Sequence, residues 1–540
     1  MKLGNRIMRN FSLFVNKLAG GTMQNVNTGE VRGEAFPGMS EACRKAAVDG
    51  SVLLLNDGTL PLSPSSRVAL FGRTQLDWFY AGYGSGGDVR APYLVSPVQG
   101  LENAGVQLDG TLLSLYRAWT EKNPVDPGFW GHWPLSHPEM PLSRETVAAA
   151  AKRNDVAVIF IGRSAGEDRD STLAGGSYHL TSAEKKLIEC VEREFKKTVI
   201  VLGIGSPMDL GWTKELPPSA LLIVWAGGME SGNAIADVLT GAREPGGRLT
   251  DTLMSSYSAS PVSSAVDTLK VCEYSEDIYV GYRYFETFAK DKVLFPFGAG
   301  MGYTTFSYGD AAVRSEGGKV TVTVRVTNTG DREGREVVQL YISAPGKALP
   351  RPARELAAFK KTKVIPAGGH ENVTLTFSLS DCAAFDEEHS EWLTEEGEYR
   401  VYLGGNVRDA ALIGKVTLPA SERVKVTSAA APVHPFMRLT AKGGAPVCEP
   451  VPLSRIDLKT RIASRIPDEL PAPDTPVTFA DVKAGRRSAE ELAATLNDEE
   501  LEAISRGDYT MNSPLGAPGN AGTLGGVTES LREKGIPAAT

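Results

Sequence analysis

Cysteine is scarce: five residues in 540, at positions 43, 190, 272, 382 and 448. They lie far apart, their number is odd and no C-x-x-C occurs, so neither a disulfide framework nor a cysteine zinc site is indicated. The six histidines show no metal-ligand spacing, and no metal or cofactor is expected. No apolar run approaches the ~20 residues that a membrane span needs. The amino-terminal MKLGNRIMRNFSLFVNKLAGG sets basic residues before an apolar patch, Phe11 to Val15. That patch is shorter than the ~7–15 residues of a secretory core, so the chain is read as cytoplasmic. A strongly basic block is missing too. With 57 Lys and Arg against 65 Asp and Glu the net charge is −8, which makes nucleic acid and anionic membrane surfaces poor partners. No G-x-S-x-G elbow follows a strand. Ser206 lies in GIGSP, but Pro207 has no N–H to offer an oxyanion hole.

What is present is ordinary for a globular protein, with 42% hydrophobic and 23% charged residues, which excludes a disordered or fibrous chain. The length predicts about two to four domains. EACRKAAVD (41–49), SRETVAAAAKRND (143–155), SAEKKLIECVEREFKK (182–197) and SGNAIADVLTG (231–241) read as helices. Ser143 is the expected cap of the second, and Gly241 the stop of the last. VALFG (68–72), VAVIFIG (156–162), TVIVLGI (198–204) and ALLIVW (220–225) are apolar on both faces. Such strands alternating with helices predict an open α/β domain with a mainly parallel sheet, whose ligands bind beyond the carboxyl ends of the strands. After about residue 310 the period falls to two, in 319–330, 335–343, 371–379 and 398–405, which predicts a fibronectin-type β-sandwich. The Pro-, Ala- and Ser-rich stretch from 421 to 480 reads as a linker. Beyond it one helix is clear, near 498–506, with Asn497 as cap and Glu500 at N3.

Three segments could carry chemistry. GEDR (166–169) follows VAVIFIG at the carboxyl end of a strand, where Glu167 could serve as a general acid if burial raised its pKa, with Asp168 and Arg169 holding the loop. A solvated surface loop is the plainer alternative. GYGSGG (82–87) matches G-x-G-x-x-G, but it begins ten positions after its strand ends and no helix follows, so a dinucleotide is not indicated. A loop that lets backbone and Ser85 approach a neutral polyol fits better, and a flexible connection remains open. Trp78, Phe79, Tyr80 and Tyr83, then Phe129, Trp130 and Trp133, form an aromatic group suited either to the faces of sugar rings or to core packing.

Taken together, SVLLLNDGTLPL (51–62), GYGSGGDV (82–89), AGEDRD (165–170), TVIVLGIGSPMDL (198–210) and AGGMESGNAIADVLTGAREPGGRLTDTL (226–253) resemble glycoside hydrolase family 3, the β-glucosidase family. The likeness continues through 277–308 into NTGDREGREVVQLYIS (328–343) and 355–377, which resemble that family's fibronectin-like domain. It implies an extension over 1–40, an α/β-sandwich domain over 41–265, a connection over 266–310, a fibronectin type III-like domain over 311–420, the linker over 421–480 and the truncated start of a (β/α)8 barrel over 481–540. The barrel precedes the other domains in most of the family, so the order here resembles a permuted variety.

The resemblance implies a retaining β-glucosidase acting on β-glucosides and cello-oligosaccharides. Glu167 is its acid/base, although the run here is EDR where the family often has one residue more. Ser85, Gly84, Trp78 and Tyr83 fall in the sugar pocket. The nucleophile, an aspartate of the barrel, has no counterpart in these residues. Since retaining hydrolysis needs two carboxyl groups, the isolated chain is expected to hydrolyse aryl glucosides roughly hundreds of times more slowly than an intact homologue, or not at all. A non-catalytic carbohydrate-binding protein and a β-xylosidase are the alternatives, and self-association is left open.

Overall fold

The apolar runs become strands of one sheet because each can bury both faces. A computed structural model of the chain describes residues 34–82, 89, 91–125, 136–166, 171–263, 273–426, 431–454, 457–466, 469–508, 514–515 and 522–539. Strands β1 (Val52–Asn56), β2 (Arg67–Phe71), β3 (Gln107–Leu108), β4 (Val156–Arg163), β5 (Thr198–Ile204) and β6 (Ala220–Ile223) lie in the order β1-β6-β5-β4-β2-β3. All neighbours are parallel except β1, which runs antiparallel to β6 with Val52 opposite Ile223. The sheet is thus mainly parallel, as expected.

Alternate residues feed two apolar layers. Ile159, Ile161, Ile200 and Leu202 pack with Val147, Leu187, Ile188 and Val191, from helices α4 (Arg144–Ala151) and α5 (Ser182–Glu194). Val158, Phe160, Val199 and Val201 pack with Val98, Leu101, Ile235 and Val238, from α2 (Pro97–Asn103) and α6 (Ser231–Thr240). Helices α1 (Met39–Gly50) and α3 (Gly110–Lys122) complete the cover. The Ser143 hydroxyl accepts from the Thr146 amide at 3.2 Å as the sequence predicts. Helix α5 stops at Glu194, three residues early, because Phe195 turns extended and sets its ring edge-on to Phe71 at 5.7 Å.

Helices α2 and α6 touch backbone to backbone. A Cβ at Gly100 would lie 1.9 Å from the Gly232 carbonyl oxygen, and one at Gly232 would lie 2.0 Å from that of Ser96. No rotamer relieves such a clash, so Gly232→Ala is expected to cost about 2–3 kcal/mol in urea unfolding. An unchanged midpoint would show that the helices separate freely.

The second half is a seven-stranded sandwich. Strands β9 (Phe306–Glu316), β10 (Lys319–Asn328) and β13 (His370–Ser378) form one sheet, in the order β13-β10-β9. The other has the order β12-β11-β16-β17, from β11 (Val337–Ser343), β12 (Glu355–Lys361), β16 (Gly397–Gly404) and β17 (Ala411–Leu418). Val320, Val322, Val324 and Val326 of β10 face Val338, Leu340, Ile342, Val401 and Leu403 across the core. Between the halves, β7 (Leu253–Met254) pairs with β8 (Val293–Phe295), and α7 (Tyr282–Phe288) stacks Tyr282 on Phe297 at 4.4 Å.

The stretch expected to be linker is partly structured. Strand β18 (Glu422–Lys425) pairs with β15 (Glu391–Thr394), which pairs in turn with β14 (Ala384–Asp386). Strands β19 (Met437–Lys442) and β20 (Ala445–Pro450) make a hairpin. Its two-residue turn is Gly443-Gly444, with φ of 59° and 82°, the positive values that a tight hairpin demands. Arg438 anchors it through Glu387 at 2.7 Å and Asp277 at 3.0 Å.

Residues from Ser454 onward form a separate compact unit. Its helices are α8 (Leu458–Ala463), α9 (Phe479–Lys483), α10 (Ala489–Ala493), α11 (Asp498–Arg506) and α12 (Glu529–Glu533). The predicted Asn497–Glu500 capping box opens α11. The sequence pattern misses the other helices because each is six residues or fewer. No helix among the described residues is long and apolar enough to cross a membrane.

Candidate active site at the carboxyl ends of the strands

Parallel strands point their carboxyl ends at a common edge, and the chain's unusual side chains collect there. After β4 come Ser164, Ala165 and Gly166, and after β5 come Gly205 and Ser206. These turns approach so closely that a Cβ at Gly205 would lie 2.4 Å from that of Ala165. A Cβ at Gly82 would lie 3.3 Å from the Ala165 carbonyl oxygen, and the Ser171 and Ser206 hydroxyls are 3.2 Å apart. The Tyr80 hydroxyl donates to the Val89 carbonyl at 2.7 Å, while its own carbonyl accepts from the Gly228 amide at 2.9 Å. The feet of the glycine loop and of the glutamate loop are therefore neighbours, held by backbone contacts.

Glu167, Asp168 and Arg169 lie outside the described residues, as do Tyr83, Gly84 and Ser85, and Phe129, Trp130 and Trp133. Trp78 is described, and it is no open sugar platform. The residue is 6% exposed, and its ring stands edge-on to Phe160 at 6.1 Å and covers Gly203, where a Cβ would meet it at 2.4 Å. The missing side chain at Gly203 makes room for the indole, so Trp78 belongs to the core.

Beneath the loops sits a buried ionic group that the sequence reading did not find. Glu184, 1% exposed, accepts from Arg73 Nη1 at 2.6 Å and from Arg163 at 2.8 and 2.7 Å. It also caps α5, through its contact with the Thr181 amide at 2.9 Å. Arg73 donates further to the Ser136 hydroxyl at 2.9 Å and reaches Glu139 at 3.7 Å. Arg163 donates to the carbonyls of Ser177 and His179 at 3.1 and 3.3 Å. Since Arg163 ends β4 and Ser177 and His179 lie on the far side of the loop, one guanidinium grips both feet of the segment that carries Glu167. Burial by itself would raise the Glu184 carboxyl. The Arg163 hydrogen bonds and the charges of Arg163 and Arg73 outweigh it and hold the carboxyl at about 2. Burial pushes the Glu139 carboxyl the other way, upward, despite Arg73, and Glu184 adds to the effect.

Around this floor lie side-chain atoms with no partner among the described residues: Thr74 Oγ1, Gln75 Oε1, Trp78 Nε1, Glu139 Oε1 and Ser164 Oγ. Buried polar atoms are normally paired, and exceptions gather where a protein handles solvent or ligand. His179 Nδ1 meets Asp209 Oδ2 at 2.9 Å. Tyr178 beside them packs edge-on to Tyr257, and burial, with Asp209 nearby, lifts its hydroxyl to about 12. A loop fixed at both feet over a polar floor can hold a carboxyl in one place, which acid/base catalysis requires. Among the described residues one compact group of metal-ligating types occurs, Asp386, His389 and Glu391. It lies in the small β14–β15–β18 sheet and is already neutralised by Arg423.

Residues 51–303 match the glycosyl hydrolase family 3 C-terminal domain, and 336–407 a fibronectin type III-like domain. β-Glucosidase A of Butyrivibrio fibrisolvens is 32% identical over 569 aligned positions, covering 92% of this chain and 67% of its own length. The chain belongs to glycosyl hydrolase family 3. A β-glucosidase of Ruminococcus albus is 38% identical over 510 residues, covering 92% of this chain, and the chain spans 54% of that relative's length. The crystal structure of a β-glucosidase from Paenibacillus barengoltzii superposes with a TM-score of 0.89 at 38% identity, over 94% of this chain and 58% of that one. The α/β sheet followed by a fibronectin-like sandwich is thus the family 3 arrangement. Arg73, Arg163, Glu139 and Glu184 form a buried ionic group that sequence reasoning missed. The one available signal was T-S-A-E at 181–184, a capping box at the head of a strongly periodic helix.

Proposed function

We propose that the chain forms the acid/base side of a retaining β-glucosidase that releases terminal β-D-glucose from β-glucosides and cello-oligosaccharides. What carries this reading is the loop gripped at both feet by Arg163, since it bears the GEDR run at the carboxyl edge of a family 3 sheet. Glu167 donates a proton to the glycosidic oxygen as the bond to C1 breaks, while a carboxylate nucleophile takes C1 as an ester. The Glu167 carboxylate then removes a proton from water as that water displaces the ester. Asp168 and Arg169 hold the loop, and Ser85 and Gly84, with Tyr83, approach the sugar hydroxyls. The nucleophile comes from a (β/α)8 barrel, of which residues 481–540 are the beginning. Free thiols at Cys43, Cys190, Cys382 and Cys448 are in keeping with a cytoplasmic location.

Proton NMR of the protein carrying this chain, acting on an aryl β-glucoside, tests the reading. β-Glucose is expected first, with the α-anomer appearing only by mutarotation. α-Glucose as the first product would mean inversion. Turnover confined to an aryl β-xyloside would move the protein to the xylosidases.

A further inference from the structure

Where the α/β layers meet the sandwich there is a cleft of about 560 Å³. Its walls include Lys45 and Asp49 of α1, Arg243 and Glu244 of the turn after α6, and Arg332, Arg335 and Lys361 of the sandwich. Charges here are unevenly matched. Arg243 is satisfied by Glu41 at 2.8 Å and Asp237 at 3.3 Å. Asp49, by contrast, is shared by three cations: Lys45 closes on it, with Arg335 at 3.3 Å and Lys361 at 3.4 Å. Both distances exceed the ~2.7–2.9 Å of a charge-assisted hydrogen bond, so the Arg335 and Lys361 heads keep most of their donors unused. Arg332 at the exposed rim has no ion pair among the described residues, and Glu333 beside it is exposed as well. Glu244 does not make up the deficit. It accepts from the Arg335 amide, and its Oε2 is buried beneath Gly302 and Gly334, where a Cβ would stand 2.8 and 2.7 Å away.

We propose that this cleft binds a small oxyanion of the phosphate class between Lys361, Arg335 and Arg332. Its three or four acceptor oxygens match donors that a single carboxylate leaves unfilled. Burial, with Arg335 and Arg248 adding to it, pushes the Lys361 ammonium below the ordinary lysine value in spite of Asp49, and a bound anion would relieve that. The anion is either free phosphate or the phosphate of a sugar phosphate. The site is remote in kind from the glucosidase reading, since binding is measured without any turnover.

The test is thermal unfolding and titration calorimetry of the full chain with inorganic phosphate and with glucose 6-phosphate, each against sodium chloride at equal ionic strength. Phosphate is expected to raise Tm by several degrees beyond chloride. That gain should be lost in Lys361→Met and reduced in Arg332→Met, whose position at the exposed rim leaves folding intact. A larger gain with glucose 6-phosphate assigns a sugar phosphate, and an equal gain assigns the free anion. Equal responses to phosphate and chloride, or a gain that persists in both variants, overturns the proposal.

Discussion

Glu167→Ala is expected to lower kcat/KM for cellobiose by about 10²–10⁴-fold in the protein that carries this chain. The loss should depend on the leaving group. Glucose leaving from cellobiose needs a proton, whereas a dinitrophenolate departs without one, so the first step on a dinitrophenyl glucoside should be nearly normal. The glycosyl-enzyme ester would then accumulate, because no base remains to activate water. Azide needs no base. It should attack C1 of the ester, release the carboxylate and yield β-glucosyl azide, restoring turnover. Unchanged cellobiose hydrolysis, or a uniform loss on both substrates without azide rescue, would place the proton donor elsewhere.

The second large effect is on stability. Glu184→Ala leaves two buried guanidiniums, Arg73 and Arg163, facing each other without their shared carboxylate. Breaking such a group costs about 3–5 kcal/mol, which urea unfolding at pH 7 would register as a large fall in midpoint. Glu184→Gln keeps the shape and isolates the charge. The Glu184 carboxyl sits at about 2 in the folded chain against an ordinary 4.5. Its contribution is therefore complete above about pH 4.5 and disappears as the pH falls toward 2. Glu139, raised by burial, runs in the opposite sense, and its effect falls above the ordinary carboxyl value rather than below it. The informative quantity is the difference between the parent and Glu184→Gln, expected to shrink steadily between pH 5 and pH 2. A difference independent of pH would mean that the two arginines are satisfied by the carbonyls alone.

Different parts of this molecule were legible to different degrees, and the reasons are physical. Strands β2, β4, β5 and β6 are buried on both faces, so their sequences are apolar runs that little else explains. Strands β10, β13 and β16 alternate buried and exposed residues, while β11 is buried from Val338 through Ile342. Strands β9, β12 and β17 carry mostly half-buried or exposed residues, which blurs the period, and the sequence reading passed over them. The Gly443-Gly444 turn was a readable hairpin signal inside a stretch whose composition suggested linker. Trp78 shows the limit of composition: an aromatic cluster does not reveal which ring faces solvent, and the decisive neighbour, Gly203, is 125 residues away. The ionic floor was hidden for the same reason. Arg73 and Glu184 are 111 positions apart, and only the folded sheet brings them together.

Arg163 holds its loop through two carbonyl oxygens and the Glu184 carboxylate. Such a grip ignores the identity of every side chain between the anchor points. Insertions or deletions there are expected to leave the fold untouched, so that reach and leaving-group preference can change with that stretch alone. A protein engineer could use this, exchanging 165–176 as a cassette between relatives while leaving the anchors in place.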